Sequence, residues 1–168
     1  RSRLTMAVSY QLPFGRDRKY GSNMNAVLDG IVGGWQYTVS NRTYGGRPLI
    51  FGTYLVSGNP KLSNPTRDKW FDTSMFAQAD TYTPRSNPWY YDGLNGPGWT
   101  LTDMTLTKMF TFGPRYRMEF RAEAYNAFNQ IVWDNPDLAI TSSNFGKVTR
   151  KRVDGNGREI QIGLRFMF

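Results

Sequence analysis

Apolar and polar side chains alternate over residues 4–14. Leu4, Met6, Val8, Tyr10, Leu12 and Phe14 hold the even positions, and Thr5, Ala7, Ser9, Gln11 and Pro13 lie between them. A period of two is the mark of a strand with one apolar face. The run is longer than the ordinary strand of about five or six residues. It matches the roughly nine to eleven residues that a tilted strand needs to cross a bilayer. Pro13 falls at the end, where a lost ladder bond costs little. The pattern returns at Trp35, Tyr37 and Val39, with Gln36, Thr38, Ser40 and Arg42 on the opposite face. It returns again at Met104, Leu106, Phe110 and Phe112, against Asp103, Thr105 and Thr107. Lys108 interrupts that apolar face near one end, where its long stem is expected to snorkel. Tyr116, Met118, Phe120, Ala122 and Ala124 form a further apolar set, opposite Arg117, Glu119, Arg121 and Glu123. The chain closes on Ile160, Ile162, Leu164, Phe166 and Phe168, with Gln161, Gly163, Arg165 and Met167 between. The last residues of a soluble domain usually fray; these are patterned to be packed.

The segments between these strands alternate in length. Gly113 and Pro114 predict a tight turn. The stretch "DGNG" at residues 154–157 is a strong turn signal, and "GRDRKYGSN" at residues 15–23 is a polar, basic turn region. Residues 24–34 are ambiguous, because their glycines argue against a stable helix. Residues 45–98 form a long irregular stretch that holds six of the nine prolines and the clusters "KWF" and "PWYY". Within it, residues 48–56 suit short strands, and a loop of this length is usually functional. The connections thus run about twenty residues, about fifty, a two-residue turn, then about thirty. Transmembrane barrels show this asymmetry, with short turns on the periplasmic side and long loops outside. The expected fold is an all-β, antiparallel transmembrane β-barrel segment of about five long strands, an incomplete barrel. Its long loops fall at about residues 45–98 and 129–157. The alternative is a soluble β-sandwich with one buried face, a carbohydrate-binding module built on the Trp and Tyr clusters. The ladder Arg117, Glu119, Arg121 and Glu123 fits either a solvated sheet face or the wall of a watery lumen.

Composition narrows the chemistry. The 168 residues contain neither Cys nor His. That removes disulfides, thiolate chemistry, the commonest general base and the commonest metal ligand. Glu119 and Glu123 share a face, but the interleaved Arg117 and Arg121 keep both ionised, and neither is suited to be a general acid. No catalytic, cofactor-binding or metal-binding residue is assigned, and the chain is expected not to be an enzyme. Abundant Gly, Tyr, Phe and Trp favour strands and turns. No apolar run is long enough for a membrane-crossing helix; residues 26–34 are short and interrupted by Asp29. That does not argue for solubility, since transmembrane strands average out as polar. The opening "RSRLTMAVSY" has no signal-peptide pattern, and the chain enters directly into a strand, so it reads as a piece of something longer.

The stretches "YQLPFGRDRK", "VGGWQYTVSNRTYGGRPL", "WFDTSMFA", "RMEFRAEAYNAFNQ", "NFGKVT" and "IQIGLRFMF" span nearly the whole chain. Together they resemble the C-terminal barrel segment of TonB-dependent outer-membrane receptors. The likeness is to the Oar-like group, which carries a carboxypeptidase-regulatory-like domain near the N-terminus. The resemblance implies a barrel of roughly 22 strands, closed by a plug domain and coupled to inner-membrane energy. It implies uptake of scarce large solutes across the cell outer membrane. The plug and the energy-coupling box are expected outside this chain, and five strands alone do not close such a barrel. The implied partners are outer-membrane lipid, the barrel assembly machinery, and the rest of the same barrel with its plug. A passive porin is the remaining rival.

Further candidates lie in the loops. The terminal set Ile160, Ile162, Leu164, Phe166 and Phe168 resembles the strand that the assembly machinery recognises by strand addition. Trp89, Tyr90 and Tyr91 have two readings: stacking on a ligand ring, or packing anchors. The basic run "KVTRKR" at residues 147–152, with Lys151 and Arg152, reads as a solvated loop or as a contact to phosphorylated glycolipid. The net charge of +8 is scattered over turns and strand ends without a nucleic-acid-binding module, and no nucleic-acid partner is expected. "NRT" at residues 41–43 matches a glycosylation acceptor, but its place on a strand makes the match accidental.

Overall fold

A computed structural model describes residues 2–16, 18–153, 155 and 157–168. Asp17 of the first basic turn, and Asp154 and Asn156 of the "DGNG" turn, lie outside the described residues. The long strands are β1 (Arg3–Gln11), β2 (Trp35–Tyr44), β5 (Trp99–Phe112), β6 (Tyr116–Tyr125) and β7 (Glu159–Met167). The short ones are β3 (Tyr54–Val56) and β4 (Phe76–Gln78), and one helix, α1, spans Ala26–Val32. The chain divides into two compact units. One holds Leu4–Thr43, Thr100–Gln130 and Asn156–Phe168; the other holds Arg1–Arg3, Tyr44–Trp99 and Ile131–Gly155.

The first unit is built on one sheet in the order β1-β2-β5-β6-β7, so β1 and β7 stand at its two edges. The expected long strands all form. The register Leu106↔Ala122↔Ile162 and Phe110↔Met118↔Phe166 puts the alternate apolar residues of three strands on one face. Trp35 of β2 meets Phe120 edge-on at 5.8 Å, so β2 adds its odd residues to the same face. On the other face, Ser9 bonds to Thr38 at 2.9 Å and Gln36 donates to Ser9 at 2.6 Å, which leaves Leu4, Met6, Val8 and Tyr10 on the apolar side. Side-chain bonds Asn41 to Thr102 (2.9 Å) and Thr43 to Thr100 (3.1 Å) run in opposite chain directions, so β2 and β5 are antiparallel. The turn expected to have two residues has three, Gly113, Pro114 and Arg115, since Phe112 pairs with Tyr116. Gly113 takes φ +67°, a left-handed conformation that glycine adopts without a steric cost.

Residues 24–34 resolve in favour of a helix despite their glycines. Asn25 caps it, its side chain accepting from the Leu28 amide at 2.8 Å. Asp29 ties the helix to the preceding turn by accepting from the Arg16 amide at 2.7 Å. These local bonds offset a propensity deficit that the residue types alone would predict. Lys108 does not snorkel to water. It is 3% exposed, its ammonium donates to the Gly33 carbonyl just past α1, and it lies 5.4 Å from the Trp35 ring and 5.0 Å from the Phe110 ring. A carbonyl at a helix C-terminus and two ring faces supply the negative potential that water would otherwise provide.

The second unit turns the predicted loops into a folded body. β3 and β4 pair with Val56 opposite Phe76. Leu49, Phe51, Phe71, Phe76 and Leu94 form a buried core, with Tyr54, Tyr91, Leu138 and Phe145 packed around it. The rings meet mostly edge to face: Phe51–Phe71 at 5.2 Å, Phe71–Phe145 at 5.3 Å and Phe76–Phe145 at 5.4 Å. Arg85 staples the segment, donating to the carbonyls of Phe51, Asn87 and Pro88, each at 2.9 Å.

Candidate functional site

Two features of these units bear on function: the two-faced sheet and a cleft in the folded loops. On the polar face of the sheet, Arg117, Glu119, Arg121 and Glu123 lie in one row of β6. Across the sheet they oppose Thr111, Met109, Thr107 and Thr105 on one side and Met167, Arg165, Gly163 and Gln161 on the other. Arg121 pairs with Glu123 at 3.2 Å. A second pair, Arg42 to Asp103 at 2.8 Å, joins β2 to β5. Asp103 also accepts from the Asn126 amide at 2.9 Å and so holds the end of β6. The alternation singled out the β6 row but not this pair, or Arg165 opposite Glu119, because each joins residues on different strands.

The apolar face is open. Ile160, Ile162, Leu164 and Phe166 are 59–67% exposed, and Phe168, one residue past β7, is 97% exposed. The small side chains of Ala122 and Ala124 leave a shallow hollow of about 190 Å³, bordered by Tyr37, Met104, Leu106 and Ile160. Its walls are almost wholly apolar.

The loop candidates separate in the fold. Tyr91 belongs to the aromatic core, 5.7 Å from Phe51. Its hydroxyl is buried without a hydrogen-bond partner among the described residues, and that burial pushes its pKa up. Trp89 and Tyr90 are exposed, and the Arg85 guanidinium lies 4.0 Å over the Trp89 ring. Phe71 of "KWF" is fully buried, and the Trp70 indole donates to the Asn95 carbonyl at 2.7 Å, so this cluster serves packing. Lys151 is exposed on a backbone bridge to Trp133, and Arg152 is half-buried beside it. The basic run is therefore not simply a solvated loop: Val148, its second residue, is buried.

Arg152 lines a cleft of about 370 Å³ with Tyr44, Arg47, Trp99, Trp133, Asp134 and Asn135. Tyr44 and Trp99 stack at 4.2 Å, and the Arg3 guanidinium covers Tyr44 at 4.9 Å. Arg67 lies 4.4 Å over Trp133. Gly46 and Gly96 permit the close backbone approach beside it, since a Cβ on Gly46 would strike the Gly96 carbonyl. Ring faces beside guanidinium, carboxylate and amide groups suit a polar, hydroxylated solute. Sequence reasoning missed the cleft except for Arg152, because its residues come from three distant segments with no common period. Near it, Asp137 accepts from the Ser142 hydroxyl at 2.6 Å and from the Ala139 amide at 2.9 Å. The hydroxyl first, then the amide, holds its carboxyl below the usual range. Lys69, at 3.1 Å, and Ser74 do the same for Asp72.

No curated protein and no solved structure matches the chain. A family defined as an outer membrane beta barrel domain matches residues 1–161. Such a domain lies in the outer membrane, and the match decides between barrel and soluble sandwich in favour of the barrel. A sheet with one open apolar face, one charged face and two open edges is what a section of barrel wall requires, and the chain belongs to the outer membrane beta barrel domain family.

Proposed function

We propose that the chain is the C-terminal barrel wall of a TonB-dependent receptor that takes up a nutrient across the outer membrane. In this reading it catalyses no reaction. Its apolar face meets lipid, and Arg117, Glu119, Arg121 and Glu123 line the lumen. The observation that carries the reading is the sheet itself: two faces of opposite character, with β1 and β7 both at open edges. Such edges need pairing partners in a membrane, and the rest of the same barrel would supply them. Uptake of a recognised solute, rather than passive flow, is supported by the stretches that resemble receptors and by the cleft of rings and charges. Lys151 and Arg152 remain suited to phosphorylated glycolipid of the outer leaflet. Energy coupling separates receptor from porin. Deleting the gene and deleting the inner-membrane energy transducer should give the same nutrient-limited growth defect. Growth that depends on this gene but not on the transducer would mean a porin.

The terminal strand carries a second role in this reading, as the signal read by the assembly machinery through strand addition. Phe168 decides it. Deleting Phe168 from the full-length protein should leave synthesis intact and sharply reduce membrane-assembled protein. Phe112→Ala and Tyr10→Ala should have much milder effects. Normal surface levels after the deletion would reduce the terminal pattern to lipid-facing packing.

A further inference from the structure

Helix α1 is built inside out for a protein in water. None of its residues is buried. Val27 is 72% exposed, Ile31 62% and Leu28 49%. The one charged side chain, Asp29, turns inward and accepts from the Arg16 amide. A surface helix in water does the reverse, and a helix this short holds only if its apolar face is covered.

The surroundings say what covers it. Trp35, three residues past the helix, donates its indole N–H to the Ile31 carbonyl at 2.8 Å and meets Phe120 edge-on. The apolar side of the helix therefore continues into the apolar face of a sheet that sits in the outer membrane. The turn before the helix adds charge. Its sequence carries three cations against one anion, Asp17, and Arg16, Arg18 and Lys19 are all exposed. Arg16 is steered by its bond to the Met24 carbonyl at 2.8 Å, and Arg18 by its bond to the Gln11 side chain at 3.1 Å. Apolar side chains beside clustered cations are the features of a segment that lies in a membrane interface. Cations near such a surface favour anionic lipid.

We propose that α1, with Arg16, Arg18 and Lys19 of the turn before it, forms a lipid-docking element that lies flat in the headgroup layer of an anionic phospholipid leaflet. Val27, Leu28 and Ile31 enter the acyl boundary, and Arg16, Arg18 and Lys19 meet phosphate. The helix end also seats over Lys108 and shields that ammonium from hydrocarbon. The inference rests on outer-membrane location and is independent of nutrient uptake, so either can fail alone.

The chain has no Cys, so, with any cysteine elsewhere in the full-length protein replaced by serine, a single introduced cysteine takes a nitroxide label cleanly. Labels at V27C and I31C, in the full-length protein, would be compared with one at S63C in an exposed loop. The bilayers would be phosphatidylcholine, with or without phosphatidylglycerol. The side chains replaced are exposed, so folding is not at stake. The helix labels should collide more with oxygen and less with a water-soluble nickel chelate than the loop label. Anionic lipid should shift them deeper, and the double change Arg18→Gln, Lys19→Gln should abolish that shift. Nickel access equal to the loop label would place the helix in water and overturn the proposal. Access to neither reagent would mean a protein cover, and would also overturn it. Indifference to phosphatidylglycerol would overturn the choice of an anionic leaflet.

Discussion

The two units of this chain obey opposite rules. In the folded loops the large rings point inward: Phe71 is 0% exposed and Phe51 1%. In the sheet the large apolar side chains point outward, and Leu4, Val8 and Ile162 are all more than half exposed. The hydrophobic effect drives both. In one unit the chain itself supplies the apolar surroundings; in the other, on the reading proposed above, the membrane does. The contrast explains why the loops need no periodic sequence. A core closed by tertiary contacts can draw Leu49, Phe71 and Leu94 from anywhere in the segment. A strand exposed to lipid on one side must alternate.

Substitutions should separate the two rules. The largest effect is expected at Phe71. Phe71→Ala leaves a cavity among Phe51, Phe76 and Phe145, and should cost the loop unit about 3–5 kcal/mol. Amide exchange should quicken across residues 49–94 while β5 and β6 stay protected. Equal loss of protection in the sheet would show that the two units unfold together.

Next comes the sheet. A cation on a lipid-facing position near the midplane costs roughly 2–4 kcal/mol, and Phe120→Arg in the complete barrel should lose about that much. Glu119→Gln, one residue away on the other face, should lose far less. Denaturant titration of the two variants measures the difference, and equal losses would reverse the assigned facing.

A smaller effect is expected at α1. Asn25→Ala removes the cap on the Leu28 amide and should cost about 1 kcal/mol. Exchange at Leu28 and Asp29 should quicken without change in β2.

The smallest is a pH effect in the loop unit. Asp137 has a folded-state pKa below its unfolded value. The unfolded chain therefore takes up its proton first as pH falls, and the stabilisation present at neutral pH is lost through the acid range. The protection factor of the Ala139 amide, corrected for the intrinsic pH dependence of exchange, should fall on acidification, and Asp137→Asn should flatten that fall. A profile unchanged by the substitution would assign the acid sensitivity elsewhere.

Much of the sheet was legible in the sequence, because a strand with one apolar face writes its period directly into the chain. Leu4 to Tyr10 and Ile160 to Phe166 needed no partner to be recognised. The β6 ladder was legible for the same reason. Helix α1 was not, since what forms it is a cap at Asn25 and a tether from Asp29 to Arg16, and neither leaves a period. Lys108 was misjudged because the group that satisfies it, the Gly33 carbonyl, lies 75 residues earlier in the chain.

The cleft was illegible for a deeper reason. Tyr44, Trp99 and Trp133 acquire a common meaning only when three segments converge. Sequence alone determined the strands, their faces and the class of fold, because alternation is a local response to a two-sided environment. Only the tertiary structure decided which loop aromatics are core, which stand exposed, and which line a cleft. Ring burial there depends on partners far along the chain, and no local pattern specifies them.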